Sequence, residues 1–211
     1  MKNKLLIRRM CIIAVLSAVS TILYLPFLRI KLPFIFPDFL ELQFSTLPAI
    51  IATFAYGPLV GIIITAIKTI LKILLVGSST AYVGDIADFI IGASVVLCSG
   101  LIYKKKHTKK GANLSLFFGA VVWVAVAAII NYFILVPFYI NLFWAGNESS
   151  FVEACLVIPN ININNYKLMY LLAGCIPFNL VLSTLVMITT SLIYKKLSFW
   201  FKKIENDDKK W

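Results

Sequence analysis

The chain has 211 residues, of which 61% are hydrophobic and 14% charged, and its mean hydropathy is +0.92. A soluble domain averages about 45–50% apolar and about 25% charged residues. This composition therefore argues against a soluble enzyme and against a disordered protein, and it predicts an integral membrane protein. The net charge is +11, and the four cysteines and one histidine form no CxxC-type metal motif.

The first apolar run covers about residues 5–27 and follows a basic segment. A membrane-spanning helix needs about 20 apolar residues. We interpret the run as the first transmembrane helix and not as a cleaved signal peptide, because further spans follow and no small-x-small site closes it. Residues 28–44 contain Pro33, Pro37 and mixed charges, which indicates a loop near the membrane surface.

The next apolar stretch, residues 45–76, is too long for one ordinary span. Tyr56-Gly57-Pro58 interrupts it, and Gly-Pro marks a turn because proline cannot continue a helix cleanly. The sequence therefore predicts two helices here. The apolar runs together predict an all-α fold of six transmembrane helices in a single membrane domain, at about 5–27, 45–56, 58–76, 83–103, 112–137 and 168–194.

The basic residues test this count. Three clusters, at 2–9, 104–110 and 195–210, hold 15 of the 20 Lys and Arg residues. All three face the cytoplasm only if four spans separate the first two clusters and two spans separate the last two. The pattern thus predicts cytoplasmic termini and outer loops at 28–44, 77–82 and 139–167. It also explains the positive charge without a nucleic-acid partner, and the clusters suit anionic lipid headgroups.

Charged residues inside spans are expensive and usually face a protein interior or a cavity. Lys68 and Lys72 lie one turn apart on the third predicted helix, and Asp85 and Asp88 share a face at the start of the fourth. Two interpretations are compatible with this spacing. The four residues could form ion pairs that join the helical hairpin, or some of them could line a ligand site near the outer face.

Two asparagines lie inside the last two predicted helices. Asn131 and Asn179 each offer two donors and an acceptor, which can match a heterocyclic imide or bind a neighbouring helix. Asn179 follows Pro177, whose ring frees a nearby backbone carbonyl. The predicted outer loops are rich in aromatic residues, which either anchor the loops at the interface or cover a planar ligand: Phe34, Phe36, Phe39, Phe44, Tyr139, Phe143, Trp144 and Phe151.

Motifs for chemistry are missing. The sequence contains no GxxxxGK[ST], HExxH or GxSxG motif. A chain of this kind is interpreted as a binding subunit and not as an enzyme, with the energy for any uphill transport coming from elsewhere. A stand-alone channel or a membrane-embedded enzyme is the alternative of another class.

Several motifs follow one another in a characteristic order. They are FS-LPA at 44–49, GPL-G at 57–61, IK at 67–68, GSST at 77–80, G-acid-IA at 84–87, IPFNL at 176–180 and LIYKKL at 192–197. This ordered set resembles the substrate-binding (S) component of energy-coupling factor transporters, of the riboflavin type. The resemblance touches about two thirds of the chain.

The resemblance implies six helices, an outward-opening vitamin pocket, a transmembrane coupling subunit and two cytosolic ATPases in a bacterial plasma membrane. It implies no cofactor, with ATP used by the partner subunits alone. Ala14 and Ala18 resemble the family's AxxxA contact with the coupling subunit, and Asn179 matches a position that hydrogen-bonds the flavin. The candidate ligand-binding residues are then Asn179, Asn131, Asp85, Asp88, Lys68, Phe44, Leu47 and Tyr82.

Four positions depart from the riboflavin pattern. Leu182 stands where the family usually carries Lys, Thr46 stands where Asp is frequent, and Asp85 and Asp88 stand where Glu and Asn are common. Riboflavin or a related flavin is the expected ligand. Another vitamin, such as folate or pantothenate, is the alternative within the same class, and acceptance of phosphorylated flavins stays open.

Overall fold

The computed structural model describes residues 2–105 and 107–209, and it describes the side chains of these residues except 2–5, 8 and 195–209. Most of the chain is helical. The α-helices are α1 (Lys2–Ile22), α2 (Leu47–Tyr56), α3 (Pro58–Val76), α4 (Val83–Lys105), α5 (Lys109–Ile130), α6 (Val136–Trp144), α7 (Glu148–Ala154), α8 (Tyr166–Met169) and α9 (Ile176–Lys209).

Within the described residues, four helical segments are long and apolar enough to cross a membrane. They are Pro58–Val76, Val83–Lys105, Lys109–Trp144 and Tyr166–Tyr194. Arg9–Ile22 and Leu47–Tyr56 are shorter apolar helices. Many of the predicted cytoplasmic basic side chains, including those of Lys2, Lys4, Arg8, Lys106 and 195–210, lie outside the described side chains.

Helix α2 lies at the centre of the bundle. It has 10 residues and is about 15 Å long at 1.5 Å per residue. Its first eight residues, Leu47 to Phe54, are all buried. Helix α2 contacts α1, α3, α4 and α9, so this short segment is enclosed by protein and carries the main hydrophobic core.

The chain turns sharply between α2 and α3. Gly57 adopts φ +96°, a backbone conformation that favours glycine, and Pro58 begins α3. Gly61 lets the two helices approach closely, because a Cβ at this position would lie 1.9 Å from Thr53 Oγ1. The chain therefore returns through the bundle at the position where the sequence indicates a break.

Two π-helical turns interrupt the long helices. Asn131–Leu135 joins α5 to α6, and Tyr170–Cys175 joins α8 to α9. Each π turn ends two residues before a proline, Pro137 in one case and Pro177 in the other. Proline lacks a backbone N–H and its ring crowds the carbonyl four residues earlier, so the α-helical hydrogen-bond pattern must change there. Residues 109–144 thus form one continuous helical segment with a wider turn in its middle.

The predicted loop at 28–44 contains ordered structure. Pro26–Leu28 forms a 3₁₀ turn, and strands β1 (Ile30–Lys31) and β2 (Glu41–Leu42) pair antiparallel with Ile30 opposite Leu42. This small sheet was not part of the all-α prediction. Its charged side chains close the base of the loop: Arg29 lies 3.0 Å from Glu41, and Lys31 lies 3.5 Å from the same carboxylate. Residues 32–40, hereafter the loop tip, extend from this base.

The region predicted as an outer loop at 139–167 is partly helical. Helix α6 continues to Trp144, and α7 follows because the Asn147 side chain accepts hydrogen bonds from the backbone N–H groups of Ser149 and Ser150. Buried Phe151 and Cys155 of this region pack with residues of α6 and of the second π turn. Burial raises the pKa of the Cys155 thiol to about 12, so this cysteine remains protonated and acts as a packing residue.

Candidate functional site

Two ion pairs join α3 to α4. Lys68 Nζ lies 2.7 Å from Asp88 Oδ2, and Lys72 Nζ lies 2.6 Å from Asp85 Oδ1. Lys68 is fully buried, and Asp85 is 2% exposed. The structure thus shows the pairing that one interpretation of the sequence expected, in which these charges join the hairpin.

The paired charges also contact residues at both ends of the segment 24–45. Lys68 Nζ donates to Ser45 Oγ at 3.0 Å, and Gln43 Nε2 donates to Asp88 Oδ1 at 2.7 Å. The Tyr24 ring covers both ammonium groups, at 4.6 Å from Lys68 Nζ and 5.7 Å from Lys72 Nζ. These contacts fasten both ends of the segment 24–45 to the α3–α4 hairpin.

Asn179 lies in a buried hydrogen-bonded group between α5 and α9. Its Oδ1 accepts from the indole N–H of Trp123 at 3.2 Å, and its Nδ2 donates to the carbonyl of Cys175 at 2.9 Å. Asn179 is 7% exposed and Trp123 is 3% exposed. Cys175 ends the second π turn, so the carbonyl used by Asn179 belongs to the wider turn that precedes Pro177.

Asn131 begins the first π turn and faces the second one. Its Nδ2 donates to the carbonyl of Ala127 at 2.9 Å, and its Oδ1 accepts from the hydroxyl of Tyr170 at 3.2 Å. Tyr170 is the first residue of the second π turn. Asn131 thus lies in one π turn, and Asn179 donates to the carbonyl of the residue that ends the other. Such turns occur frequently at functional sites.

Aromatic rings of the loop tip contact a neighbour of each amide group. The Phe36 ring packs edge-on against Phe178 at 5.3 Å between centroids, and Phe178 directly precedes Asn179. The Phe39 ring lies 5.9 Å from that of Tyr170, the partner of Asn131. Phe34, which lies between strand β1 and Phe36 in the sequence, is 94% exposed. One short segment thus contacts the immediate surroundings of Asn131 and of Asn179.

The remaining candidate residues lie in three different environments. Leu47 is buried in the main core at the start of α2, and Phe44 packs against that core. Tyr82 is 55% exposed and adopts φ +67° in the turn before α4, without a described contact to either asparagine. Ala14 and Ala18 are both exposed on α1, next to exposed Val15 and Val19.

Sequence reasoning missed Trp123 and Tyr170. Each is the hydrogen-bond partner of a predicted asparagine, yet each lies in an apolar run where an aromatic residue is ordinary. A usable signal was present in the prolines, because LVPF at 135–138 and CIPF at 175–178 repeat one pattern behind the two π turns. The pairing of Trp123 with Asn179 joins residues 56 positions apart and needed the fold.

Comparison with known proteins identifies the class of this protein. A family model for the substrate-specific component of ECF transporters matches residues 8–194, which is most of the chain. The chain belongs to this family. It is also similar to a solved S component of a bacterial ECF transporter, with a TM-score of 0.69 and 31% sequence identity over 96% of this chain and 99% of the other.

The relatives similar to this chain carry a more particular name. The riboflavin transporter RibU of Staphylococcus aureus (strain TCH60) is 33% identical over 93% of this chain and 94% of its own length. The riboflavin transporter FmnP of Bacillus subtilis (strain 168) is 30% identical over 93% of this chain and 95% of its own length. The riboflavin transporter RibU of Lactococcus lactis subsp. cremoris (strain NZ9000) is 31% identical over 93% of this chain and 94% of its own length.

Proposed function

We propose that this chain is the substrate-binding subunit of a vitamin uptake transporter, and that it binds riboflavin or a related flavin outside the cell. The observation that carries the proposal is the loop tip, whose Phe36 and Phe39 cover the neighbourhoods of Asn179 and Asn131. The names of relatives that match nearly the whole chain support the same ligand.

The chemistry of a flavin fits these groups. Its flat apolar ring suits aromatic side chains, its imide edge can pair with an asparagine amide, and its hydroxylated tail needs polar partners. The site we propose lies between α4, α5 with its π turn, and α9. Asn179 and Asn131 would bind the ring edge, with Phe44, Leu47 and Tyr82 contributing near the entrance.

Lys68, Asp85 and Asp88 have a different role in this proposal from the two asparagines. Their charges are already paired within the α3–α4 hairpin, and Asp88 also accepts a hydrogen bond from Gln43, which follows strand β2. A ligand tail that hydrogen-bonds Asp88 or Lys68 would exchange with Gln43 or Ser45. Binding would therefore change how segment 24–45 is held to the bundle.

Capture and delivery require different parts of the molecule. Segments 28–44 and 139–167 would close over the flavin from outside, and movement against a transmembrane coupling subunit would release it inside. Two cytosolic ATPases would supply the energy, because this chain lacks a P-loop and, in this proposal, performs no catalysis and holds no cofactor. Ala14 and Ala18 are exposed at four-residue spacing, which allows a partner helix to approach closely.

The membrane arrangement in this proposal has six crossings, with both termini in the cytoplasm of a bacterium and the chain in its plasma membrane. Helices α1 and α2 would be the first and second crossings, in addition to the four longer segments. Enclosure of α2 by other helices supports its placement inside the bilayer region despite its length, because its ends need not reach both lipid interfaces.

A binding screen over the B vitamins tests the proposed ligand. We expect riboflavin fluorescence to be quenched in a saturable titration of the purified protein, since the ring would lie against aromatic side chains. Asn179→Ala should weaken binding about 5- to 150-fold, corresponding to about 1–3 kcal/mol for a lost buried hydrogen bond. Ser191→Ala, which alters the α5–α9 contact to Asn113, is the matched control and should bind like wild type.

The screen also decides between vitamins. Leu182, one of the positions that depart from the riboflavin pattern, is 4% exposed and packs in the main core, so this position provides an apolar side chain instead of a charge. Saturable binding of folate or pantothenate together with no response to riboflavin would overturn the proposed ligand. Riboflavin uptake that persists in cells without the ATPase partners would overturn the proposed mechanism and favour a channel.

A further inference from the structure

We infer that Trp123 is a positioning residue for the flavin site, because its indole N–H fixes the direction in which Asn179 presents its amide. The inference rests on the proposed function. In it, the fixed orientation of the Asn179 amide is what makes the site prefer a ligand with an imide edge. Trp123 lies on α5 and Asn179 on α9, and their side chains meet with both residues almost fully buried.

The two partners of Asn179 allow one orientation of the amide. An indole N–H can only donate, so the atom 3.2 Å from it must be the amide oxygen. A backbone carbonyl can only accept, so the atom 2.9 Å from the Cys175 oxygen must be the amide nitrogen. Rotating the amide by half a turn would place two acceptors together and two donors together, leaving buried polar groups unpaired.

This fixed amide retains hydrogen-bonding capacity. The Asn179 oxygen has a second lone pair, and its nitrogen has a second proton. Near that nitrogen lies the Sγ of Cys175 at 3.5 Å, which is a weak acceptor that a ligand carbonyl would readily replace. The remaining capacity is therefore one acceptor and one donor in a set order. An imide, with its N–H beside a C=O, is the complement of that order.

Trp123 also fills space, and a purely structural role has to be distinguished from positioning. The chain contains a second hydrogen bond between α5 and α9, from Ser191 Oγ to Asn113 Oδ1, also at 3.2 Å. It joins the same helices but involves neither asparagine of the proposed site. A variant that breaks this second bond reports what the loss of an interhelical hydrogen bond does by itself.

The experiment compares two ligands in the full-length protein, riboflavin and its N3-methyl derivative, in which the imide proton is replaced. Trp123→Phe should weaken riboflavin binding by about 10-fold while changing N3-methylriboflavin binding by less than about 2-fold, because only the first ligand uses the oriented amide. Ser191→Ala should leave both affinities unchanged. Adding Trp123→Phe to Asn179→Ala should cause no further loss.

A readout without ligand accompanies the titration. The indole N–H resonance that disappears in Trp123→Phe should shift in ligand-free Asn179→Ala, since its acceptor is removed. Trp123→Tyr provides a second replacement if the phenylalanine variant does not fold. We expect it to lose the preference for riboflavin over N3-methylriboflavin in the same way.

Three results would overturn the inference. They are equal losses of both ligands in the tryptophan variants, losses that add in the double variant, and an indole resonance that Asn179→Ala does not move. Absence of riboflavin binding by wild type would instead overturn the proposed function, and the role of Trp123 towards a flavin with it. If the wild type binds riboflavin, and Trp123→Phe prefers riboflavin over N3-methylriboflavin to the same degree as the wild type does, the positioning role alone is overturned.

Discussion

Buried charges at the residue scale are matched almost one for one. In the Lys72–Asp85 pair, Asp85 Oδ1 accepts a hydrogen bond from Lys72. Asp85 Oδ2 has no hydrogen-bond partner among the described residues, so the pair with Lys72 is the main compensation for burying this carboxylate. Removing two charges from water costs several kcal/mol each, and the pair repays this cost only while both partners are present. Loss of Lys72 leaves the buried Asp85 carboxylate without its paired cation, with the Tyr24 hydroxyl at 3.3 Å as a remaining donor.

We therefore expect Lys72→Ala to lower the free energy of unfolding by about 3–5 kcal/mol. Unfolding of the purified protein in detergent measures this change. Lys31→Ala is the control, since Lys31 is 57% exposed beside Glu41 and its pair should contribute less than about 1 kcal/mol. Stability that is the same in both variants would contradict the importance of burial, and Lys72→Met with Asp85→Leu should recover most of the loss.

Spacing along the sequence allowed part of this residue-scale arrangement to be predicted. Lys68 and Lys72 on one helix, and Asp85 and Asp88 on the next, suggested pairing because a short turn makes the helices neighbours. The further partners could not be derived in this way. Tyr24 and Gln43 come from another part of the chain, and their approach to these charges depends on how segment 24–45 folds back over the bundle.

Glycine positions decide the packing at the scale of helices. Gly61 on α3 and Thr53 on α2 lie so close that an added Cβ would be 1.9 Å from Thr53 Oγ1 and 3.0 Å from the Ala49 carbonyl. A methyl group here requires the helices to separate or Thr53 to change its rotamer. Both adjustments disturb α2, which is the most enclosed helix of the bundle.

Gly61→Ala should therefore destabilise the protein by about 1–3 kcal/mol, the usual cost of overpacking. Thermal unfolding with and without the companion change Thr53→Ala measures the effect. The double variant should regain part of the loss, because the nearest obstructing atom is gone. An alanine at 61 that leaves stability unchanged would show that α2 and α3 are farther apart than described.

The break between α2 and α3 could be placed from sequence because Gly57-Pro58 is a local signal. The π turns could not be predicted from the sequence, because a proline indicates that the helical hydrogen bonding changes but does not indicate which change occurs. The structure accommodates Pro137 and Pro177 by widening the preceding turns, and Asn131 and Tyr170 at the start of those turns become hydrogen-bond partners. Helix α7 also escaped prediction, since its seven residues depend on the Asn147 cap and on burial of Phe151.

In the proposed function, the loop side of the molecule binds the ligand and helix α1 contacts the coupling subunit. Phe36 and Phe39 of the loop tip contact a neighbour of each amide, whereas α1 presents exposed Ala14 and Ala18. Ala14→Trp should leave riboflavin affinity within about 2-fold of wild type but prevent recovery of the chain with its coupling subunit. Co-purification measures assembly, and normal recovery would contradict the proposed contact on α1.

The proposed orientation of the molecule in the membrane is a prediction from the basic clusters and needs its own test. Single cysteines replacing Lys31 and Lys104, in a background without native cysteines, should react with a membrane-impermeant thiol reagent from opposite sides. We expect Lys31→Cys to react in intact cells and Lys104→Cys only after the membrane is opened. Reaction of both from the same side would contradict six crossings with cytoplasmic termini.

A structure determined with riboflavin bound tests the central claim most directly. The account predicts the isoalloxazine ring beneath the loop tip, with its imide edge on the Asn179 amide and with Phe36 or Phe39 moved aside or stacked on it. A flavin bound elsewhere, with Asn131, Asn179 and residues 32–40 unchanged from the arrangement described above, would contradict the account.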